Sequence, residues 1–94
     1  MLTAPQCRAA RALLGWTQDQ LASASRVGLA TLRVFEAGGS QPRNATLTVL
    51  RQALESAGVQ FIEQNGGGQG VRLRKPDPES EGIDPESLNS RNDG

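Results

Sequence analysis

Residues 17–38, TQDQLASASRVGLATLRVFEAG, contain two short helical patterns separated by a tight turn. Thr17 and Gln20 form a capping box, which predicts that a helix begins there and runs to about residue 25. The pattern breaks at residues 26–28, and a second helix is predicted over residues 29–37, before two glycines. By their helical spacing, the residues predicted to face the protein interior are Leu21, Ala22, Leu32 and Phe35. Two short helices joined by a tight turn are typical of the helix-turn-helix motif.

One further helix is predicted on each side of this motif. Thr3 and Gln6 form another capping box, and Gly15 ends the helix that they open. Asn44 is the expected N-cap of a fourth helix, which Gly58 closes. The residues expected on the apolar faces of these two helices are Cys7, Ala10, Leu13, Leu14, Leu47, Val49, Leu50, Ala53, Leu54 and Ala57. We interpret Cys7 as a small buried apolar residue, with a reactive thiol as the alternative.

Beyond the fourth helix the sequence pattern changes from helical to alternating. Residues 59–63 and 71–75 alternate apolar and polar side chains around a loop with four glycines, which predicts a β-hairpin. A lone hairpin is marginal in water, so it should pack on the helices or pair with another chain. Its second strand carries a basic face of Arg72, Arg74 and Lys75, which either contacts the DNA backbone or protects an exposed strand edge.

Residues 76–94 are rich in Pro, Glu, Ser, Asp, Asn and Gly. They are predicted to be disordered, because they cannot bury enough apolar surface to offset the entropy of ordering. The predicted fold class is therefore mainly α. A compact four-helix domain with a helix-turn-helix (1–58) is followed by a β-hairpin extension (59–75) and a disordered acidic tail (76–94).

The formal net charge of zero is the sum of a basic body and an acidic tail. Nine basic and four acidic residues from Met1 to Lys75 give +5, whereas one basic and six acidic residues from Pro76 to Gly94 give −5. A basic body is expected of a protein that binds nucleic acid. The acidic tail either competes in cis with DNA phosphates for the basic surface or is a solvated terminus.

Composition argues against several classes of protein. The chain has no histidine and one cysteine, so it lacks the residues for an intramolecular disulfide, a zinc site or a histidine-dependent catalytic triad. We therefore expect no enzymatic activity, no metal and no cofactor. No apolar run approaches the roughly 18 residues that span a membrane, and no signal pattern begins the chain. A soluble, cytoplasmic protein is the expectation.

Residues 17–38 resemble the helix-turn-helix of the Cro/CI-type (xenobiotic-response-element) bacterial and phage repressors, and the resemblance extends less specifically over residues 6–58. It implies a sequence-specific regulator of transcription, a small repressor that inserts helix 29–37 into the major groove of double-stranded DNA, with a homodimer as the usual form. The exposed hairpin edge is a candidate dimer interface. The alternative function is a protein-interaction module, such as an antitoxin whose acidic tail binds a partner protein through Ile83 and Leu88.

The resemblance also implies which residues face DNA. They lie at the start of the second helix, on the third helix and in the loop that follows: Gln18, Gly28, Leu29, Ala30, Thr31, Arg33, Val34, Ser40, Arg43 and Asn44. Gln18, Arg43 and Asn44 are placed to contact phosphates. Arg33 is placed to read guanine or hold a phosphate, and the apolar positions either contact thymine methyl groups or pack against protein.

Three positions carry expectations about structure. The family usually has glycine where this chain has Arg26, so a non-glycine residue is expected to adopt the left-handed conformation there. Gly28 stands where a polar N-cap is usual and should cap the third helix more weakly. By the resemblance, Arg11 and Glu36 form an internal ion pair that joins the first helix to the third.

Overall fold

The computed structural model describes residues 1–63 and 66–74, which form four α-helices followed by a two-stranded antiparallel sheet. The elements are α1 (Ala4–Leu14), α2 (Gln18–Ser25), α3 (Leu29–Glu36), α4 (Asn44–Ser56), β1 (Val59–Ile62) and β2 (Gly70–Leu73). The mainly α prediction with a C-terminal hairpin is confirmed. The predicted disordered tail, 76–94, lies outside the described residues, as does Lys75.

Local capping determines where the first two helices begin. The Thr3 hydroxyl accepts a hydrogen bond from the Gln6 amide at 3.3 Å, and the Gln6 side chain accepts one from the Thr3 amide at 3.1 Å. Thr17 and Gln20 repeat this arrangement at 3.1 and 2.8 Å. Both predicted capping boxes are therefore present, and each satisfies two amides that the first helical turn leaves without a helical partner.

The turn between α2 and α3 is built on Arg26. Arg26 has a φ of +61° and a ψ of +29°, so it adopts the left-handed conformation expected from its position. The amides of Arg26 and Val27 both donate to the Ala22 carbonyl, which closes the end of α2. Gly28 is the N-cap of α3 and supplies no side-chain hydrogen bond, as predicted.

The core lies between the four helices and the inner face of the hairpin. Its buried apolar residues are Leu2, Cys7, Ala10, Leu21, Leu32, Phe35, Leu47, Leu50, Leu54, Val59 and Phe61. Two residues predicted to lie on apolar faces are exposed: Leu13 is 41% and Val49 39% exposed. Each is rotated about 100° around its helix from the next residue, Leu14 or Leu50, which is more buried. Leu13 and Val49 therefore lie at the edge of the apolar face, where no described element fully covers them.

The N-terminus of α4 differs by one residue from the prediction. Arg43, with a ψ of 155°, is the N-cap, and Asn44 is the first helical residue. The first helical hydrogen bond runs from the Leu47 amide to the Arg43 carbonyl at 3.1 Å, which places the cap one residue earlier. Arg43 has no side-chain oxygen, so this helix begins without a side-chain cap.

The hairpin packs on α1 and α4. Val59 pairs with Leu73 and Phe61 with Val71. Val59, Phe61 and Val71 pack against the core, whereas Leu73, at the end of β2, is 49% exposed. Two long-range hydrogen bonds hold β2 in place. The Gln6 side chain donates to the Gly70 carbonyl at 3.3 Å, and the Arg74 amide donates to the Gly58 carbonyl at 2.8 Å.

Candidate nucleic-acid interface

Glu36, at the end of α3, is the centre of a buried polar network that fixes the orientation of this helix. Arg11 forms a bidentate ion pair with its carboxylate, at 2.8 Å through Nε and 2.7 Å through Nη2. The Gln18 amide and the Cys7 thiol also donate to the carboxylate, at 2.9 and 3.1 Å. Arg8 donates to the Glu36 backbone carbonyl. The ion pair that the resemblance implied is present, and the network joins α1 and α2 to α3.

The network determines the ionisation of its members. Burial by itself would raise the pKa of Glu36, but the hydrogen bonds from Arg11, Gln18 and Cys7 outweigh burial, and the pKa lies below its ordinary value. Burial, and then the hydrogen bond to Glu36, raise the pKa of the Cys7 thiol far above its ordinary value. Cys7 is therefore a buried, protonated donor, and the reactive-thiol alternative loses its support.

Most of the predicted interface residues are accessible to a large ligand. Eight of the ten are exposed, and the other two, Gln18 and Leu29, are half-buried. The outward face of α3 presents Ala30, Thr31, Arg33 and Val34, and Val34 is 48% exposed. Helix α3 therefore buries Leu32, Phe35 and Glu36 and leaves a mixed apolar and cationic face open.

The loop after α3 folds back against this face. The Gly39 amide donates to the Val34 carbonyl at 2.9 Å, and a Cβ at Gly39 would lie 2.8 Å from Val34 Cγ1. Gly38 has a φ of +84° and donates to the Phe35 carbonyl, which completes a Schellman-type end. Only glycine fits at residue 39, and the loop is held at a defined distance from α3 as a result.

An open, mainly apolar pocket of about 290 Å³ lies between the outward face of α3 and this loop. Four predicted interface residues line it: Ala30, Thr31, Val34 and Ser40. Gln41 and Pro42 complete the lining, and sequence reasoning missed both. The available signal was their position directly after Ser40, in a loop that has to return toward α4.

Gln18, a predicted interface residue, also contacts the buried network around Glu36. One hydrogen of its side-chain amide is used on Glu36, so the side chain points toward the network. The phosphate contact predicted for Gln18 would have to use the remaining N–H or the backbone amides of the first turn of α2. Arg43 and Asn44 are exposed at the start of α4, on the far side of the loop that follows α3.

Ion pairing leaves the surface of the described residues basic. Those residues contain eight arginines and four acidic side chains. Glu36, Glu55 and Glu63 are held in ion pairs with only two arginines, Arg11 and Arg51. Within residues 1–63 and 66–74, the arginines outside ion pairs are Arg8, Arg26, Arg33, Arg43, Arg72 and Arg74. This excess suits a polyanion such as DNA.

The described segments contain no cluster of three or more His, Cys, Asp or Glu side chains arranged to hold a metal ion. No helix among these residues is long and apolar enough to cross a membrane.

Comparison with known proteins agrees with this geometry. A family model described as helix-turn-helix matches residues 8–60, which is more than half of the chain. The matched region begins in α1 and ends in β1, so it contains all of α2, α3 and α4. A search of curated proteins finds none that matches the chain significantly. The chain belongs to the Cro/CI-type (xenobiotic-response-element) family of DNA-binding helix-turn-helix regulators.

Proposed function

We propose that this protein is a non-catalytic, sequence-specific transcriptional repressor that places α3 in the major groove of its operator. The observation that carries the proposal is the exposed face of α3, with Arg33 beside apolar side chains, on a helix held rigidly through Glu36. A pre-organised helix loses little entropy on binding, so its contacts can contribute to affinity. Repression requires only occupancy, since a bound protein excludes others from the same DNA.

The residues of the interface divide into two roles. Arg33 projects from the middle of α3, where its guanidinium can form two hydrogen bonds to guanine O6 and N7. Ala30, Thr31 and Val34 provide methyl groups for thymine. Arg43 lies outside α3, at the N-cap of α4, where a cation and free backbone amides suit a phosphate. Base reading therefore depends on α3, and positioning depends on α4.

The decisive experiment is selection of bound DNA from a randomised library by the full chain, followed by affinity measurements on the selected and a scrambled duplex. We expect Arg33→Ala to weaken binding to the selected site by about 1–3 kcal/mol and to change binding to the scrambled duplex much less. The matched control, Arg43→Ala, should weaken both by similar factors. Failure of the library to yield an enriched sequence would contradict the proposal and favour a protein-interaction function.

We propose in addition that the operator complex contains two copies. One copy has a modest positive charge and one short recognition helix, and family members read two half-sites about one helical turn apart. Sedimentation of the full chain with its selected duplex should give a complex of two chains per duplex. A strict monomer, both free and with that duplex, would remove the dimer from the proposal.

A further inference from the structure

An open groove of about 530 Å³ lies between α2 and α4, away from the pocket on α3. Its apolar lining consists of Trp16, Ala24, Val49, Ala53 and Ala57. Val49 remains 39% exposed in this lining, which also contains the half-buried indole of Trp16. The groove is therefore an apolar surface that another apolar segment would stabilise by covering.

Charge at the rim restricts what can cover the groove. Arg26 belongs to the lining and is exposed, and it forms no ion pair with any residue of 1–63 or 66–74. The described residues that line the groove include no carboxylate. A segment with apolar anchors and acidic neighbours therefore complements the groove in both polarity and charge.

The described chain ends beside this groove. The Arg74 amide donates to the Gly58 carbonyl at 2.8 Å, and its guanidinium donates to the Glu55 carbonyl at 3.2 Å. These two carbonyls flank Ser56 and Ala57, which line the groove. Arg74, the last described residue, therefore lies at the edge of the groove, and 20 further residues, 75–94, follow it in the sequence.

Residues 75–94 carry two large apolar side chains, Ile83 and Leu88, with Asp84 and Glu86 between them. Ile83 lies nine positions after Arg74, enough to reach about 30 Å when extended. In regular extended backbone, Ile83 and Leu88 would lie about 16 Å apart on opposite faces, because five positions separate them. A bend at Pro85 would bring both side chains to one face and within the roughly 12 Å of helix from Val49 to Ala57.

We propose that residues 83–88 of the same chain dock in the groove between α2 and α4, with Ile83 and Leu88 against Trp16 and Val49. Asp84 and Glu86 then face Arg26. The attachment point beside Ala57 gives the segment a millimolar effective concentration, so weak apolar contacts suffice. This intramolecular interaction goes beyond DNA binding and does not depend on it.

Trp16 is the only tryptophan of the chain, so its fluorescence reports on the groove directly. In the full chain, Ile83→Ser with Leu88→Ser should shift the emission to longer wavelength and increase quenching by acrylamide. The matched control is Ser80→Ala with Ser90→Ala, which changes the same segment without removing an apolar anchor, and it should leave the emission unchanged. Identical emission and quenching in the wild type and the Ile83/Leu88 variant would overturn the proposal.

A change on the groove side gives an independent test. Val49→Glu introduces a negative charge opposite the acidic segment, and the amide resonances of residues 83–88 should move toward random-coil positions. Thr48→Glu is the control, because Thr48 is exposed on α4 but does not line this groove. Amide resonances at random-coil positions in the wild type would overturn the proposal. An emission spectrum that changes on dilution would assign the groove to a second copy and would overturn it as well.

Discussion

Glu36 is a charged residue that acts inside the protein. Its side chain is 2% exposed and accepts hydrogen bonds from α1 and α2 while its backbone belongs to α3. A buried carboxylate of this kind contributes little net stability compared with apolar packing, but losing one partner leaves an uncompensated charge. We infer that its role is to orient the recognition helix.

Replacement of Arg11 by methionine should therefore destabilise the protein strongly. Methionine keeps an unbranched apolar stem and removes the cation that compensates Glu36, so we expect a loss of about 3 kcal/mol in the free energy of unfolding. Urea denaturation followed by circular dichroism measures it. The control is Glu63→Gln, which breaks an ion pair whose carboxylate is 64% exposed and should cost less than about 1 kcal/mol. Equal costs for the two variants would contradict this role.

The same network should make stability depend on pH. Because the folded-state pKa of Glu36 is lowered, its contribution is fully present above the ordinary glutamate pKa. That contribution is lost as the pH falls through the lowered pKa of the folded state. The stability difference between wild type and Glu36→Gln should therefore shrink across this acidic window, in denaturation experiments at a series of pH values. A stability difference between the two proteins that does not change with pH would contradict this prediction.

At the scale of elements, the turn between α2 and α3 contains the only non-glycine residue with positive φ in the described chain, Arg26. Arg26→Gly should raise the free energy of unfolding by about 0.5–1 kcal/mol, because glycine adopts this conformation without a Cβ penalty. Arg26→Ala removes the same side chain but keeps the Cβ, so it should give no comparable gain. Denaturation midpoints compare the variants, and equal midpoints for glycine and alanine would show that the turn is unstrained.

At the start of α4, one substitution should stabilise the helix and weaken DNA binding at the same time. Arg43 is an N-cap without a side-chain acceptor, so Arg43→Ser should stabilise the protein by about 0.5–1 kcal/mol. The same change removes a proposed phosphate contact and should weaken binding to selected and scrambled duplexes alike. Arg43→Ala is the control, since it should weaken binding without stabilising the helix. Thermal unfolding and fluorescence anisotropy measure the two effects, and unchanged DNA affinity would remove Arg43 from the interface.

At the scale of the whole molecule, the balance of charge is divided between the basic body and residues 76–94. Neutralising the six acids of that segment as amides should raise affinity for non-specific DNA, most at low salt, because a tethered acid competes with phosphate. Anisotropy titrations over a range of salt concentrations measure this. Replacing Ser80, Ser87 and Ser90 by alanine is the matched control. Equal affinities of the wild type and the neutralised chain at every salt concentration would contradict competition.

Much of the fold could be predicted because its signals are local. The capping boxes of α1 and α2, the glycine after α1 and the change of period after α4 each act within a few residues. The errors at Leu13 and Val49 have a different origin. Helical periodicity identifies an apolar stripe, but how wide a part of it is buried depends on which neighbouring elements lie alongside.

The candidate site could likewise be predicted only in part. The α3 residues Ala30, Thr31, Arg33 and Val34, which the resemblance implied, are exposed, whereas the Gln18 side chain donates to Glu36, a residue 18 positions away. Gln41 and Pro42 join the pocket on α3 because Gly39 lets the loop approach Val34. Contacts of this kind arise from the packing of distant segments, and no local pattern encodes them.

The sequence by itself determined the order and type of the elements and the separation of charge, because these follow from short-range patterns and composition, and the family resemblance implied the left-handed turn at Arg26. The tertiary structure alone decided that four donors meet at Glu36 and that the described elements leave Val49 exposed in the groove that Trp16 also lines. It also decided that the chain leaves the hairpin next to the groove between α2 and α4. Each of these depends on how helices and strands far apart in sequence pack together, since packing assigns buried and exposed positions across the whole molecule.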